Sequence, residues 1–246
     1  MKTIYILWLR QVKRYWRSKP RLIGSLGQPL LFLVALGFGF GPIFEKAGGG
    51  NYIQFLAPGI IAMSILFSSM FNGIEVIWDR QFGFLKETLV APISRIKIMV
   101  GRTLGGATVS TAQGIVVFLL SLIVGFRPSN WAYVPLALVF MFLTALLFTS
   151  LGTAIASKLE DMHAFQLIMN FLIMPIFFLS GALFPLQDLP KSITVIAALN
   201  PLAYGVDALR FSFNGAGNIF LDFAVVGTTA VVIGLIGSYL FSKIEI

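Results

Sequence analysis

The sequence of 246 residues contains no cysteine and one histidine, which excludes disulfide bonds, thiolate metal sites and multi-histidine metal clusters. Charged residues are scarce: they make up 11% of the chain, against about a quarter in a typical soluble domain. Hydrophobic residues make up 57%, more than one compact soluble domain can bury. The composition therefore excludes a soluble enzyme, a disordered protein and a nucleic-acid binder, and it indicates a polytopic membrane protein.

Catalytic and nucleotide-binding motifs are also missing from the sequence. No Gly is followed by Lys, which excludes a phosphate-binding P-loop, and neither a G-x-S-x-G nor an H-E-x-x-H pattern occurs. His163 lies beside Glu160 and Asp161 at the start of an apolar run, where we expect a solvated interface residue rather than a proton relay. We therefore expect no catalytic residue, metal or cofactor in this chain, and any transport would draw its energy from another subunit.

Uncharged segments long enough to cross a bilayer occur six times. A helix needs roughly 20 residues, at about 1.5 Å each, to cross about 30 Å of hydrocarbon. The segments do not alternate apolar and polar residues, which excludes the strands of a β-barrel. The sequence thus predicts a single all-α transmembrane domain, with helices over residues 22–44, 55–77, 103–126, 132–157, 164–187 and 223–242.

The distribution of Lys and Arg predicts the orientation of these helices. Fourteen of the 18 cations fall in residues 1–21, in the 75–102 connection, near 158–163 or at the C-terminus, and four fall on the opposite side. Because cytoplasmic loops are enriched in Lys and Arg, we expect both termini in the cytoplasm. The apolar run starts only after Arg21, so we do not expect a cleaved signal peptide.

Residues 1–21 have the periodicity of an amphipathic helix. One face carries Arg10, Lys13, Arg14, Arg17 and Arg21, and the other carries Ile4, Tyr5, Trp8, Val12, Tyr15 and Trp16. Such a helix is expected to lie in the cytoplasmic interface, with its aromatic residues in the headgroup layer and its cations toward water and anionic lipid. The alternative is a topology signal with incidental periodicity.

The longest cytoplasmic connection contains a second short amphipathic segment. Phe84, Leu85, Thr88 and Leu89 form an apolar ridge flanked by Lys86 and Glu87. Pro92 cannot continue this helix, and Ser94 is a favourable N-cap for the next one. The segment is suited to docking into a groove of a partner, and a solvated turn is the alternative interpretation.

The external connection is apolar and is broken by proline. It contains helical pieces near residues 191–199 and 202–213, separated by Asn200-Pro201. Each piece is about half as long as a membrane span, which predicts a re-entrant hairpin over residues 188–213; an amphipathic loop lying on the membrane is the alternative. Asp207 and Arg210, at i, i+3, are spaced to pair as a structural clamp or as a solvated ion pair.

Three stretches resemble the permease subunits of type-2 ABC transporters. They are Phe-Leu-Ala-Pro-Gly-Ile-Ile-Ala-Met-Ser at 55–64, the Asp79 to Arg95 loop, and the Leu179 to Pro190 segment followed by Leu-Asn-Pro-Leu-Ala-Tyr-Gly-Val-Asp-Ala-Leu-Arg at 199–210. The resemblance covers the chain in order and spacing. It departs at Phe84, where the family often has Thr, and at Gln81 and Lys86, where acids are frequent.

The resemblance implies roles for the segments outside the spans. Residues 1–21 would be the connecting helix, with Trp8, Arg10, Arg14, Tyr15 and Arg17 as candidate residues. Residues 82–92 would be the coupling helix that seats in the ATPase, through Phe82, Phe84, Leu85, Lys86, Glu87, Leu89 and Pro92. Residues 188–213 would form a re-entrant pair at the external exit, whose candidates are Phe184, Pro185, Asn200, Pro201, Tyr204, Asp207 and Arg210.

The function implied is that of the membrane subunit of an ATP-driven exporter. Two permeases, expected to be identical, would assemble with two ABC ATP-binding subunits that bind ATP and Mg, in the cytoplasmic membrane of a prokaryote. The cargo would be hydrophobic, amphipathic or lipid-linked, because fixed charges for a polar solute are missing. An exporter of lipid-linked polysaccharide, an intramembrane enzyme and a channel or scaffold are the alternatives, and no nucleic-acid partner is expected.

Overall fold

The structure, a computed structural model, describes residues 2–84, 87–88, 93–186, 190–215 and 218–243. Within these ranges the chain is helical and contains no strand. The α-helices are α1 Lys2–Arg17, α2 Lys19–Lys46, α3 Tyr52–Phe71, α4 Ile74–Gln81, α5 Arg95–Val124, α6 Val134–Ala156, α7 Met162–Phe178, α8 Lys191–Ala198, α9 Pro201–Asn214 and α10 Ile219–Ser242. A short 3-10 turn, Trp131–Tyr133, leads into α6.

Five segments in the described part of the chain are long and apolar enough to cross a membrane. They are Ile23–Lys46, Tyr52–Gln81, Arg95–Val124, Trp131–Ala156 and Ile219–Ser242. Helices α8 and α9 form a sixth candidate, with a bend of 84° between them that fits either a broken span or a re-entrant pair. The prediction of an all-α membrane protein is confirmed.

Helix α7 is shorter than the span predicted over residues 164–187. It contains 17 residues and ends at Phe178. The chain turns there because the Ser180 hydroxyl donates to the Phe177 carbonyl at 2.6 Å, and Gly181 has a φ of +73°. Glycine adopts this left-handed conformation without a steric penalty, and it commonly ends a helix. The C-terminal boundary predicted for this span is therefore wrong.

Helix α5 begins eight residues before the predicted boundary at 103. Ser94 occupies its N-cap position, as predicted, but the Ser94 side chain makes no capping hydrogen bond. The earlier start places Arg102 two turns inside a continuous helix, whereas the prediction left this cation in a loop. This difference decides how the end of the bundle that contains Arg102 is built.

Helix α3 lies at the centre of the bundle and packs against its neighbours through glycines. The backbone at Ala182 lies so close to Gly59 that no β-carbon would fit between them. A β-carbon on Gly152 of α6 would lie 2.5 Å from the Met70 carbonyl oxygen. Small residues allow such close helix approach in lipid, and larger side chains here would push α6 and the turn at Gly181 away from α3.

A break at Asn72–Gly73 separates α3 from α4. The Asn72 amide nitrogen donates to the Gly106 carbonyl at 3.1 Å and to the Ser110 hydroxyl at 3.0 Å, which fixes the break against α5. The predicted span 55–77 is therefore divided, with α3 ending at Phe71 and α4 running from Ile74 to Gln81. Helix α4 carries two carboxylates toward the N-terminal part of α5.

Candidate functional site

The carboxylate of Asp79 lies at the meeting point of three helices. Arg10 of α1 donates to its two oxygens at 3.1 and 3.2 Å, and Arg102 of α5 donates to Asp79 Oδ2 from the other side. Arg14 of α1 lies 3.8 Å from both Asp79 and Glu75. We call these five residues, Arg10, Arg14, Glu75, Asp79 and Arg102, the charge cluster.

The helical repeat explains why these side chains meet. Arg10 and Arg14 are four residues apart on one face of α1, and Glu75 and Asp79 are four residues apart on one face of α4. Arg102 is 3% exposed, and both carboxylates are 4% exposed. A buried carboxylate is stable only when it is paired, so α4 is held in place by cations from α1 and α5.

The position of Arg10 and Arg14 corrects the picture of residues 1–21. The cations were expected to face water and lipid, but these two point toward buried carboxylates instead. Arg17, the last residue of α1, is exposed. The amphipathic pattern is real, and its basic face serves to join helices as well as to face solvent.

Helix α1 packs lengthwise on α5, from Gly101 to Gln113. The Trp8 indole donates to the Thr108 hydroxyl at 2.9 Å, and the buried Tyr15 hydroxyl donates to the side-chain amide oxygen Oε1 of Gln113 at 2.8 Å. Gly101 and Gly105 of α5 allow the approach: a β-carbon on Gly101 would lie 2.9 Å from Leu7, and one on Gly105 would lie 2.6 Å from Gln11. The aromatic side chains Trp8 and Tyr15 are thus anchored to α5, whereas Tyr5 and Trp16 are exposed.

The charge cluster also reaches the segment predicted to couple to a partner. The Arg10 guanidinium lies 3.7 Å from the centre of the Phe84 ring, and the Arg14 guanidinium lies 5.4 Å from the Trp78 ring. Cation–π contacts of this kind hold an aromatic ring against a charged network. Phe84 is therefore in direct contact with Arg10, which binds Asp79.

The predicted coupling helix over residues 82–92 begins later than expected. Phe82 ends α4 as its C-cap and is 82% exposed, and Gly83 follows with a φ of +77°. The turn at Gly83 separates α4 from the segment that starts at Phe84, while Glu87 is exposed. Leu85, Lys86, Leu89 and Pro92 lie outside the described residues.

Helix α4 is also tied to the connection between α6 and α7. Arg80 donates to the carbonyl of Ser157 at 3.2 Å and to that of Leu159 at 3.4 Å, and it pairs with Glu160 at 3.5 Å. The Gln81 amide donates to the Glu160 carbonyl at 3.0 Å. A displacement of α4 would therefore act on α1, α5 and the α6–α7 connection together.

Asp161 begins α7, and His163 follows on the exposed surface. The Asp161 carboxylate accepts hydrogen bonds from the backbone N–H groups of Ala164 and His163, at 3.0 and 3.2 Å. These bonds hold the pKa of Asp161 below its ordinary value, because they stabilise the charged form. The exposed position of His163 agrees with the expected solvated residue and offers no buried proton path.

On the opposite side of the bundle, Arg210 fixes α9 against the turn that follows α7. Its guanidinium donates to the Gly181 carbonyl at 2.6 Å, lies 3.5 Å from Asp207 and stacks 3.9 Å from the centre of the Phe55 ring. Asp207 keeps a side-chain exposure of 54%. The Asp207–Arg210 pair is thus part of a clamp on the backbone at Gly181.

The helix break between α8 and α9 is stabilised by Asn200. Its side chain caps α9 by accepting from the Leu202 N–H at 3.0 Å, and it donates to the Ile176 carbonyl of α7 at 2.6 Å. Pro201 occupies the first turn of α9, where a missing N–H costs nothing. The Tyr204 hydroxyl donates to the Ala198 carbonyl at 2.9 Å, which closes the angle between the two helices.

Two cavities open next to these elements. Phe184 and Pro185 line an apolar cavity of about 330 Å³ with Phe40, Phe44 and Tyr52, where α2 ends and α3 begins. A second cavity of about 270 Å³ lies between α1, α2, α3 and α5. Its polar lining is uncharged, from Tyr15, Ser25, Gln28, Ser64, Ser68 and Gln113.

The comparison with known proteins decides the family. The model of the ABC-2 type transporter matches residues 2–214 of this chain. The chain belongs to the ABC-2 type transporter family. The match runs from α1 through α9 and so includes the charge cluster, both cavities and the Arg210 clamp.

Individual members of the ABC-2 family are similar over most of this chain. A putative transport permease ycf38 of Cyanophora paradoxa is 28% identical, over 99% of this chain and 89% of the relative. Nodulation protein J of Rhizobium leguminosarum bv. viciae is 29% identical, over 90% and 86%. The inner membrane transport permease YadH of Escherichia coli K12 is 28% identical, over 87% and 83%.

Membership in the ABC-2 family establishes the broad role. The chain is a membrane permease, and the family implies an ABC ATP-binding partner. Its relatives are named as transport permeases, which agrees with a transport subunit rather than an enzyme. Among the predicted site residues that the structure describes, Arg10 and Arg14 meet at Asp79 and Phe84 rests on Arg10, while Asp207 pairs with Arg210.

Sequence reasoning missed the charge cluster as a site, although its pattern was visible. Glu75 and Asp79 were treated as charges at the end of a span, and Arg102 as part of a loop. Two carboxylates at i, i+4 and two arginines at i, i+4 form complementary faces on separate helices. That spacing would have predicted the pairing of α1 with α4, but not the participation of Arg102, which depends on the early start of α5.

Proposed function

We propose that the chain is the transmembrane subunit of an ATP-driven exporter, in which the segment 82–92 docks into a separately encoded ABC ATPase. Two copies of the chain pair with two ATPase subunits, and both termini lie in the cytoplasm. Membership in the ABC-2 family supports the ATPase partner. The excess of Lys and Arg in residues 1–21 and 75–102 supports the orientation.

The contact between Phe84 and Arg10 is the observation that carries this proposal. Phe84 lies at the base of the docking segment and packs on Arg10, which binds Asp79 of α4. Asp79 also binds Arg102 of α5, so the docking segment connects to a transmembrane helix through three side chains. A movement of the segment on ATP binding thereby reaches α1 and α5 without passing through a flexible loop.

The cavities support a hydrophobic, amphipathic or lipid-linked cargo. The cavity next to Gln113 has hydrogen-bonding but uncharged side chains, and the cavity next to Phe184 is apolar. An ionised solute would require a fixed counter-charge, because an unpaired charge at membrane depth is costly. A drug-like compound or lipid fits these linings, and a lipid-linked polysaccharide is the alternative cargo.

The absence of cysteine from the chain makes the docking contact directly testable. Glu87→Cys places a single thiol on the exposed side of the segment. In membranes that also contain the partner ATPase, we expect a heterobifunctional reagent, with a maleimide for this thiol and a succinimide ester for lysine amines, to cross-link the segment to the ATPase. Ser192→Cys, which is exposed on the first turn of α8, serves as the matched control and should not cross-link.

The same two variants test the orientation. In intact cells, a membrane-impermeant maleimide should label Ser192→Cys and leave Glu87→Cys unlabelled until the membrane is opened. Labelling of Glu87→Cys from outside, or equal cross-linking of both thiols to the ATPase, would refute the proposed docking arrangement.

A further inference from the structure

The cavity next to Gln113 contains a hydroxyl donor without an acceptor. Ser68 of α3 lines this cavity and is partly exposed. Its hydroxyl oxygen accepts a hydrogen bond from the Ser110 hydroxyl of α5 at 3.0 Å. Among the residues that the structure describes, the Ser68 hydroxyl donates to no acceptor. The Ser68 proton is therefore left for a group inside the cavity.

A neighbouring amide fixes the direction of this hydrogen-bond chain. The Asn72 side-chain nitrogen donates to the Gly106 carbonyl at 3.1 Å, and a carbonyl can only accept, so this bond identifies the nitrogen. The same nitrogen donates to the Ser110 oxygen at 3.0 Å, which directs the Ser110 proton toward Ser68. Because each bond in such a chain polarises the next, the terminal Ser68 hydroxyl is a stronger donor than an isolated serine.

Ser64 shows the contrast with a hydroxyl that is already satisfied. It lies one turn from Ser68 on α3 and also lines the cavity, but its hydroxyl donates to the Ile61 carbonyl at 2.9 Å. Helical serines often bond back to a carbonyl of the preceding turn in this way. Within the described chain Ser68 makes no such bond, so the two serines differ in what they offer to a ligand.

The remaining walls limit the chemistry of that ligand. Phe67 and Phe71 are apolar, and no charged side chain lines the cavity among the described residues. Gly24 and Gln28 are exposed, so the cavity opens at the surface of α2. A charged ligand would lack a counter-charge at membrane depth, and a hydrocarbon would leave the Ser68 donor unpaired. An uncharged amphiphile with an oxygen acceptor meets both conditions.

We propose that this cavity binds an uncharged amphiphile through an oxygen atom that accepts from Ser68. The inference rests on the proposed function, because it names the class of cargo that an exporter with this cavity would recognise. The apolar part of the molecule lies along Phe67 and Phe71. The hydrogen bond contributes about a 2- to 10-fold gain in affinity over the same molecule without the acceptor.

Photolabelling of the purified chain in dodecyl maltoside tests the proposal without an ATPase or a transport assay. Benzophenone is the photolabel, and mass spectrometry measures its insertion into the peptides that contain Gln28 or Phe67. Fluorenone and fluorene are the competitors, because they share one ring frame and only fluorenone has a carbonyl oxygen. We expect fluorenone to suppress the labelling at a concentration about 2- to 10-fold lower than fluorene requires.

Two serine variants test the hydrogen bond itself. Ser68→Ala removes the donor, so fluorenone and fluorene should become equally potent competitors. Ser64→Ala is the matched control, because it removes a hydroxyl of the same cavity whose proton is already bonded to the Ile61 carbonyl. This control should keep the preference for fluorenone.

Two glycine variants test the location of the site. No atom of a neighbouring element lies within 4 Å of the β-carbon position at Gly24 or Gly27 of α2, so both accept a larger side chain without a clash. Gly24 lines the cavity, and Gly27 is not among its lining residues. Gly24→Leu should therefore lower the labelling several-fold, and Gly27→Leu should leave it unchanged.

Three outcomes would overturn the proposal. They are equal potency of fluorenone and fluorene in the unchanged chain, a preference for fluorenone that persists in Ser68→Ala, or equal labelling of Gly24→Leu and Gly27→Leu. ATP hydrolysis and transport do not enter these measurements, so failure here would leave the proposed export function standing. Conversely, failure to find an ATPase complex would not alter the labelling.

Discussion

Replacing Asp79 with asparagine is expected to damage the charge cluster more than replacing Arg102 with methionine. Asp79→Asn leaves three guanidinium groups with Glu75 as their remaining carboxylate in the cluster. The side chains of Arg102 and Asp79 are 3% and 6% exposed, so water cannot compensate for the lost charge. Removing one partner of such a buried pair costs about 3–5 kcal/mol of stability.

The Arg102→Met change should cost less, at about 1–2 kcal/mol, since it removes two donor atoms that were left unbonded. These are Arg102 Nε and NH1, which have no hydrogen-bond partner in the described structure. Asp79 also keeps Arg10 and the nearby Arg14 after this change. The loss of stability in the double variant should be about 2 kcal/mol smaller than the sum of the losses in the two single variants. The reason is that Asp79→Asn leaves the Arg102 charge buried without this partner, and Arg102→Met removes that charge.

The measurement is thermal unfolding of the four proteins in one detergent, followed by intrinsic tryptophan fluorescence. ATP hydrolysis and transport by each protein with its ATPase partner give the functional readout, and the double variant should recover stability without recovering coupling. Equal costs for the two single changes, or additive costs in the double variant, would refute the assignment of Asp79 as the centre of the cluster.

Three further predictions concern single contacts. Phe84→Ala should leave the unfolding temperature unchanged but reduce transport per ATP hydrolysed at least several-fold, because it removes the ring that rests on Arg10; Phe220→Ala, at a residue of α10 that is 85% exposed and lies outside the docking segment, should not. Equal effects of the two changes on this ratio would contradict the role of Phe84. Arg210→Lys should lower stability by about 1–2 kcal/mol in a detergent melt, because an ammonium cannot bond the Gly181 carbonyl and Asp207 while also stacking on Phe55. The Ala164 and His163 N–H groups lower the pKa of Asp161, so the ionised carboxylate should stabilise the first turn of α7 above about pH 4. This stabilisation should be lost as the pH falls through the pKa that Asp161 has in the folded protein. Amide hydrogen exchange at Ala164 would show this dependence, and Asp161→Asn should remove it.

Composition and periodicity were sufficient to predict the membrane fold. The uncharged runs correspond to helices, because a backbone in hydrocarbon must satisfy its own hydrogen bonds. The errors occurred where one residue overrides the hydropathy of its segment. Gly181 ends α7 early through its left-handed conformation, whereas the second predicted span lies within one segment, Tyr52–Gln81, that has a local break at Asn72.

The site around Asp79 was harder to predict because its meaning depends on tertiary pairing. The arginines of α1 were correctly placed on one face, but a basic face alone does not show whether it meets lipid or carboxylates. Asp79 of α4 lies 69 residues away in sequence from Arg10. The Arg210 clamp was easier to predict, since Asp207 lies one turn from it, although the Gly181 carbonyl that it binds could not be read from the spacing.

We propose that ATP binding to the partner ATPase reaches the cavity beside Phe184 through Phe84 and the charge cluster. The most direct test is the labelling rate of a single cysteine, introduced by Phe184→Cys beside the external cavity, in proteoliposomes that contain the ATPase partner. We predict that a non-hydrolysable ATP analogue changes this rate, and that Phe84→Ala or Asp79→Asn abolishes the change. An ATP-dependent rate that persists unaltered in both variants would contradict the account.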